Sequence, residues 1–299
     1  MNQSIIQDIV RLKEEKNAII LAHVYQEGPI QDIADFTGDS LSLSKKAVET
    51  NAEIIVFCGV RFMAETAHIL TPEKKVLLPI LRAGCDLADM ATVDQLKQQK
   101  KKYPTAAVVS YVNSSSEIKA VSDICCTSAN AVDIVQSMKE DTIIFVPDKN
   151  LGSYIAEQSD KEIILWNGYC YVHENISPET IKQQKKQYLE AKVIVHPECT
   201  KQVRDLADFI GGTGHMANYV KDSKINEFIV GTDDNFSYRL QKDNPKKSFH
   251  PVQTQCADMR KNSLDTLKQS LVHEKHVITI SEHIRKKAYK ALENMMNLS

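Results

Sequence analysis

The sequence predicts an α/β protein made of three homologous three-layer αβα (Rossmann-like) lobes in a pseudo-threefold arrangement around a common centre. Three observations lead to this prediction. Short apolar runs alternate with helical patterns along the chain, a repeat with spacings of 85 to 88 residues occurs three times, and three cysteines occupy equivalent positions of that repeat.

Six short apolar runs have the length and composition of strands. Each is followed by a turn and then by a helical pattern, and they span residues 18–23, 54–58, 107–112, 143–146, 193–196 and 228–230. Because these runs are continuously apolar rather than alternating, they indicate parallel strands covered by helices on both faces. Strands that alternate with helices in this way are typical of the α/β class.

The internal repeat gives the order of elements within each unit. Residues 96–99 recur at residues 181–184 and, more weakly, at 267–270, while Cys85, Cys170 and Cys256 are separated by 85 and 86 residues. The polar turns that end at Ser40, Ser128 and Thr213 are separated by 88 and 85 residues. Each unit therefore reads helix, strand, polar loop, helix, second strand, helix, third strand and cysteine. A repeat can also form an open solenoid, but matching polar residues in three units favour a closed ring.

The repeat predicts three lobes with definite boundaries. The first comprises residues 1–86 completed by 272–299, the second residues 87–171, and the third residues 172–271. The completing segment follows Cys256 and is expected to add one strand at residues 277–280 and one helix at residues 283–296.

Composition narrows the class of protein. The chain has 299 residues, 42% hydrophobic and 25% charged, with a net charge of −2. This charge balance does not indicate a basic surface that would bind nucleic acid or a membrane. No apolar segment approaches the ~20 residues that span a bilayer. No signal peptide is visible at the N-terminus, so we expect a cytoplasmic protein whose seven cysteines stay reduced.

Equivalent positions of the three units should meet near the threefold axis. Ligand sites in open parallel sheets lie at the carboxyl ends of strands, which is where His23 and Tyr25, Tyr111 and Asn113, and His196 and Glu198 fall. The three repeat cysteines should converge as well, and three thiolates suit either zinc or an iron–sulfur cluster. A single cysteine is more often a small buried apolar residue.

The polar turns offer an anion site. Ser40, Ser128 and Thr213 each precede or begin a helical run, where free backbone N–H groups and the helix dipole favour anions. Ordinary N-capping is the alternative for each turn alone. His23, His173 and His196 would add donors for carboxylates or phosphate.

Motifs along almost the whole chain resemble those of the quinolinate synthases. They are residues 22–26 (Ala-His-Val-Tyr-Gln), 32–41, 57–66, 83–85 (Ala-Gly-Cys), 110–114 (Ser-Tyr-Val-Asn-Ser), 122–128 (Ser-Asp-Ile-Cys-Cys-Thr-Ser), 147–148 (Pro-Asp), 168–170 (Gly-Tyr-Cys), 173–174 (His-Glu) and 196–199 (His-Pro-Glu-Cys). Ile80 and Arg82 depart from the family, which has acidic residues there, and residues 211–216 and 233–237 also differ from its usual sequence.

The resemblance implies a cofactor and a reaction. A [4Fe–4S] cluster would be held by three cysteine ligands, Cys85, Cys170 and Cys256, and its open iron site would act as a Lewis acid. The substrates would be iminoaspartate and dihydroxyacetone phosphate, and the products quinolinate, phosphate and water in NAD biosynthesis. Functional coupling to an L-aspartate oxidase or dehydrogenase is a further expectation.

The resemblance also assigns roles to individual residues. Tyr25, Tyr111 and Glu198 would transfer protons. The substrate-binding residues would be His23, Ser40, Asn113, Ser128, His173, His196 and Thr213. Two rival functions are a zinc-dependent lyase or aldolase that uses His196 and Cys199, and a cluster-bearing redox sensor.

Overall fold

The computed structural model describes residues 2–298, and within that range it contains three parallel sheets of four strands each. Each sheet has the same strand order, in which the second strand of a lobe pairs with the first, the first with the third, and the third with the fourth. The predicted α/β class with three αβα lobes is therefore confirmed.

Nine consecutive elements form the first lobe, and the last of them begins directly after its cysteine. They are α1 (Asn2–Glu15), β1 (Ala18–His23), α2 (Gly28–Ile33), β2 (Phe36–Gly38), α3 (Ser40–Glu49), β3 (Ile54–Cys58), α4 (Arg61–Leu70), β4 (Lys75–Leu77) and α5 (Asp86–Asp89). The second lobe repeats this order. It contains α6 (Val93–Lys102), β5 (Ala107–Tyr111), α7 (Ser116–Lys119), β6 (Ile124–Cys126), α8 (Ala131–Ser137), β7 (Thr142–Val146), α9 (Lys149–Glu157), β8 (Glu162–Leu165) and α10 (Tyr171–Glu174).

The third lobe follows the same plan, and two helices come after it. Its elements are α11 (Pro178–Gln187), β9 (Lys192–Val195), α12 (Lys201–Arg204), β10 (Phe209–Ile210), α13 (Thr213–Asp222), β11 (Glu227–Gly231), α14 (Asn235–Asp243), β12 (Ser248–Pro251) and a 3₁₀ turn (Met259–Lys261). The chain ends with α15 (Leu264–His273) and α16 (Glu282–Asn297).

Each lobe has one strand more than the sequence predicts. The additional strands are β2, β6 and β10, which have only two or three residues and pair with one neighbour each. They were missed because so short a segment shows no periodicity. They matter for the site because each leads directly into one of the three polar turns.

Helices α6, α11 and α15 begin with the same kind of N-cap. Thr92, Ser177 and Ser263 are the N-cap residues, and each side-chain hydroxyl accepts a hydrogen bond from the backbone N–H three residues further on. Such caps satisfy donors that the first helical turn leaves free. The 85- and 86-residue spacing of these caps makes α15 the third copy of the repeat's first helix.

The core has a shared part and three separate parts. One continuous apolar cluster runs through all three lobes, whereas the outer face of each sheet has its own cluster. Leu96 of α6, Ile181 of α11 and Leu267 of α15 lie in these outer clusters and are almost fully buried. Burying each such side chain contributes about 1.5–3 kcal/mol to folding.

The C-terminal segment contacts two lobes. Instead of a strand, residues 277–280 form a single antiparallel bridge between Val277 and Leu77. Helix α15 packs against α1 and β3 of the first lobe, whereas α16 packs against α4 of the first lobe and against α7 and β6 of the second. The lobe boundaries stay a prediction. The contacts of α15 with the first lobe favour starting the completing segment at Leu264 rather than at residue 272. None of the helices within residues 2–298 is long and apolar enough to cross a membrane.

Candidate active site

One cavity lies where the three lobes meet, and every site residue predicted from the sequence lines it. These residues are His23, Tyr25, Ser40, Cys85, Tyr111, Asn113, Ser128, Cys170, His173, His196, Glu198, Thr213 and Cys256. The cavity has an empty volume of about 780 Å³, part of which is open to solvent.

The polar turns bring the three lobes into direct contact. The Nε2 atom of His196 lies 3.1 Å from the Ser128 hydroxyl. A Cβ atom at Gly212 would lie 2.7 Å from the same hydroxyl, and one at Gly214 would lie 2.6 Å from a carboxylate oxygen of Asp39. Because a Cβ at either position would have to push one of these side chains aside, glycine lets the turn of the third lobe approach the other two closely.

The three cysteines are held in the same way in each lobe. Cys85 and Cys170 are the N-cap residues of α5 and α10, and Cys256 lies just before the 3₁₀ turn. The backbone N–H three residues further on, of Ala88, His173 and Met259, lowers the pKa of each thiol, although Cys85 and Cys170 make no side-chain capping hydrogen bond. Each thiol is therefore held at the start of a helical turn and faces the cavity.

Burial raises the pKa of all three cavity thiols, and nearby negative charges raise it further: another cavity thiol and Glu198 for Cys85 and Cys170, and Asp233 for Cys256. A bound metal reverses this effect, since it stabilises the thiolate directly. The other cysteines are fully buried, and burial raises the pKa of the Cys58 thiol to about 12. Cys199 lies in the outer core of the third lobe, where its thiol faces the Gly231 carbonyl 3.5 Å away.

A buried carboxylate lies between two histidines. The Oε2 atom of Glu198 is 2.8 Å from Nδ1 of His173 and 3.2 Å from Nδ1 of His196, and all three side chains are at most 5% exposed. Burial by itself would raise the pKa of Glu198. The two histidines outweigh burial and hold that pKa well below its ordinary value. Glu198 is therefore ionised at neutral pH, and its Oε1 atom has no partner within the described residues.

A chain of hydrogen bonds links Tyr25 to Glu198. The Tyr25 hydroxyl lies 2.5 Å from the Thr232 hydroxyl, which lies 2.8 Å from Nε2 of His173. If a neutral His173 ring donates from Nδ1 to the Glu198 carboxylate, its Nε2 is left to accept a proton from Thr232. Thr232 has only one proton, so it accepts from Tyr25. The chain therefore runs in one direction, from the phenol to the carboxylate.

Burial determines the protonation of several cavity groups. It lowers the pKa of His23 to about 4 and also lowers that of His196, so both rings are neutral at physiological pH. It raises the pKa of Tyr25 and Tyr111 well above that of a free phenol. The cavity thus offers neutral donors beside the Glu198 carboxylate, and its lining also includes three aspartates, Asp39, Asp86 and Asp258.

Several residues in the cavity lining or directly behind it were missed from the sequence. Thr232 is fully buried between Tyr25 and His173, and a threonine after a strand gives no signal of such a contact. Phe62, Met63 and Tyr171 supply apolar and aromatic lining. Arg82, by contrast, is exposed and outside the cavity lining, so the departure from the family pattern at this position leaves the cavity unchanged.

The donor set fits a metal centre. Cys170, His173 and Glu198 have ligand atoms within 4.8 Å of one another, and the cavity also holds the thiols of Cys85 and Cys256. The seven cysteines are all free thiols. A Cβ at Gly84, beside Cys85, would meet nothing within 4 Å, which leaves room next to the thiols.

Comparison with known proteins identifies the family. The family model described as "Quinolinate synthetase A protein" matches residues 7–297. The chain belongs to this family. It is 52% identical over 292 residues to a quinolinate synthase from Dehalococcoides mccartyi, with 97% of each chain covered. It is 50% identical over 301 residues to one from Clostridium acetobutylicum, covering 100% of this chain and 99% of the relative.

A relative from Methanosarcina acetivorans, named quinolinate synthase 2, is 48% identical over 297 residues, with 99% of this chain and 96% of the relative covered. The resemblance inferred from the motifs is thereby confirmed. Family membership supports an enzyme that acts on small molecules rather than the zinc-dependent lyase, whose proposed ligand Cys199 faces the outer core.

Proposed function

We propose that the chain condenses iminoaspartate with dihydroxyacetone phosphate to give quinolinate, phosphate and water. The observation that supports this most is the composition of the cavity between the lobes: three thiols, a carboxylate between two histidines, two phenols and three polar turns from different lobes. The dicarboxylate and phosphate groups of the two substrates need several anion-binding groups, and the condensation needs acids and bases.

The cofactor we propose is a [4Fe–4S] cluster held by Cys85, Cys170 and Cys256. With three protein ligands, one iron would keep an open position and supply Lewis acidity to an oxygen or nitrogen of the substrate. The three thiols suit this role because each lies at the start of a helical turn and faces the cavity, and the nearby backbone N–H favours the thiolate form.

Proton transfer is assigned to Tyr25, Tyr111 and Glu198. The ionised Glu198 carboxylate is the base that would take a proton from substrate carbon or nitrogen, and its free Oε1 atom is the acceptor left for that proton. Tyr25 and Tyr111 keep their protons at neutral pH and would donate them to departing hydroxyl groups. Thr232 and His173 orient the Tyr25 phenol and the Glu198 carboxylate.

Substrate binding is assigned to the remaining cavity residues. Ser40 and Thr213 are the first residues of the ten-residue helices α3 and α13, where backbone N–H groups favour a phosphate or carboxylate. Ser128 completes the trio from the second lobe. The Asn113 Oδ1 atom is buried without a partner in the described chain and is therefore available to a substrate donor. His23 and His196 present neutral rings to the same space.

The chemistry of the first substrate suggests a metabolic neighbour. Iminoaspartate is an imine that water hydrolyses, so a source of it close to this enzyme would be useful. An L-aspartate oxidase or dehydrogenase fits that requirement, and the cytoplasm, where thiols stay reduced, is the compartment that suits the site.

The test is chemical analysis of protein purified without oxygen. We expect about four iron and four sulfide per chain, lost on Cys85→Ala, Cys170→Ala or Cys256→Ala and retained in Cys199→Ala as the matched control. Quinolinate should form only with the loaded protein and both substrates. Zinc in place of iron, or iron that survives all three cavity substitutions, would overturn the cofactor assignment.

A further inference from the structure

Two buried carboxylates contact the backbone of two of the cavity cysteines. Asp148 and Asp233 each follow the third strand of their lobe, β7 and β11, and both are fully buried. A buried carboxylate is costly unless its oxygens accept hydrogen bonds. The bonds that these two accept therefore indicate what the residues do.

Both carboxylates make the same pair of contacts. One oxygen of Asp148 accepts from the Leu151 N–H at 2.7 Å, and the other accepts from the Cys170 N–H at 3.1 Å. One oxygen of Asp233 accepts from the Asn235 N–H at 2.9 Å, and the other from the Cys256 N–H at 2.6 Å. Each side chain thus joins the start of a helix to the backbone of a cavity cysteine.

The first lobe shows that this arrangement is not required by the fold. Val60 occupies the equivalent position after β3 and cannot accept a hydrogen bond. A backbone bond between the same two segments is nevertheless present in all three lobes. It joins Arg61 N to Ala83 O, Lys149 N to Gly168 O, and Asp234 N to Thr254 O. The segment that carries the cysteine is therefore docked without the carboxylate.

Helix capping does not explain both residues either. Asp148 is the N-cap of α9, but the N-cap of α14 is Asp234 rather than Asp233. What the two carboxylates share is the bond to the cysteine N–H. This bond restrains the rotation of the cysteine backbone and so fixes the direction in which the thiol leaves it.

We infer that Asp148 and Asp233 are positioning residues that hold the thiols of Cys170 and Cys256 in place before any metal binds, whereas Cys85 has no such support. The part of this inference that concerns the cluster rests on the proposed function. The part that concerns the thiols does not, since it describes the chain itself.

The test compares thiol reactivity, cysteine by cysteine. Asp148→Asn and Asp233→Asn keep the size of the side chain but direct an amide donor at one of the two N–H groups. The full-length protein, stripped of iron by a chelator without oxygen, is treated briefly with iodoacetamide, and each cysteine is quantified by mass spectrometry. Asp148→Asn should raise alkylation of Cys170 about fivefold, the equivalent of one hydrogen bond, and Asp233→Asn should do the same at Cys256. The rates are compared at a pH above the thiol pKa values found from the alkylation pH profile, because loss of the carboxylate charge by itself favours the thiolate.

Three controls separate positioning from loosening of the fold. Cys85 should react equally in all variants. Ser177→Ala, which removes a helix cap in the third lobe, should change none of the three thiols. Asp148→Ser keeps a capping hydroxyl for α9 but is too short to reach Cys170 as well, so it should reproduce the Asn effect even if Asp148→Asn folds poorly.

A second measurement addresses the cluster. Both Asn variants should lose iron to a chelator about tenfold faster than the parent protein, as expected for partners that orient metal ligands, and should shift the electron paramagnetic resonance signal of the reduced protein. Equal alkylation of the three thiols in the parent protein, or an equal rise at all three thiols in an Asn variant, would overturn the inference. Parent protein without iron and sulfide would instead refute the proposed cofactor and leave the thiol result to decide on positioning.

Discussion

Replacing Glu198 by glutamine tests the proposed chemistry most directly. The substitution keeps the shape of a side chain that is 2% exposed, so packing should survive. It removes the negative charge that the two histidines stabilise in the native protein. It also replaces one carboxylate oxygen, beside the Nδ1 atoms of His173 and His196 at 2.8 and 3.2 Å, with an NH₂ group that cannot accept a hydrogen bond.

The expected loss follows from these contacts. A positioned general base contributes about 10²–10⁴ to the rate, and the pKa of Glu198, held well below its ordinary value, keeps the base ionised throughout the neutral range. Loss of the contact with one histidine costs about 1 kcal/mol more, which is about fivefold in rate. We therefore expect kcat/KM to fall about 10³-fold, or about 4 kcal/mol, with iron content unchanged.

The assay is steady-state quinolinate formation on protein whose iron and sulfide are measured in the same sample. Glu174→Gln is the matched control, because Glu174 neighbours His173 in sequence but binds Lys149 and Asn150 outside the cavity. Activity of Glu198→Gln within fivefold of the parent protein would refute the role of the carboxylate. Loss of iron along with activity would assign Glu198 to metal binding instead.

Three other outcomes follow from the structure. Thr232→Val should lower kcat about 10- to 100-fold, because it leaves Tyr25 and His173 without their shared partner; Thr254→Val, outside the cavity, should keep full activity. The unfolded chain binds a proton at His23 near pH 6.5, whereas the folded protein does so only near pH 4. Stability should therefore be complete above pH 6.5 and fall by about 2 kcal/mol at pH 5, seen as a melting temperature roughly 4–8 °C lower, and His23→Gln should remove much of this dependence. Gly168→Ala should destabilise the protein by about 1–3 kcal/mol, since its Cβ would lie 2.3 Å from the Pro147 carbonyl oxygen, whereas Gly84→Ala should change the melting temperature little.

Much of the fold could be predicted because the repeat supplied long-range information. Cys85, Cys170 and Cys256 were aligned by spacing alone, and the structure brings them to one cavity. The short strands could not be predicted, because two or three residues carry no period of their own. The helix expected at residues 283–296 is present as α16, but the preceding segment could not be predicted, since the choice between a strand and a single bridge at Val277 depends on how it packs against β4.

The residues of the candidate site likewise fall into those that the sequence predicts and those that it does not. Residues at strand ends and in polar turns were found because the topology determines where such positions go. Thr232 and Asp233 also follow a strand, but their roles depend on contacts with Tyr25 and Cys256, which lie far away in sequence. Their side chains carry no motif that would reveal those partners, so only the three-dimensional structure shows them.

The departures from threefold symmetry are where the chemistry lies. Tyr25, Asn113 and Glu198 occupy the same repeat position, separated by 88 and 85 residues, yet they supply a phenol, an amide and a carboxylate to the cavity. Two different substrates that join into one unsymmetrical product need an acid, a base and a neutral donor at different points. A strictly symmetric site would offer the same group three times. Val60 in place of the Asp148 and Asp233 carboxylates extends this argument to the thiols, since the cysteine least restrained by the chain is the one we expect to differ in reactivity from the other two.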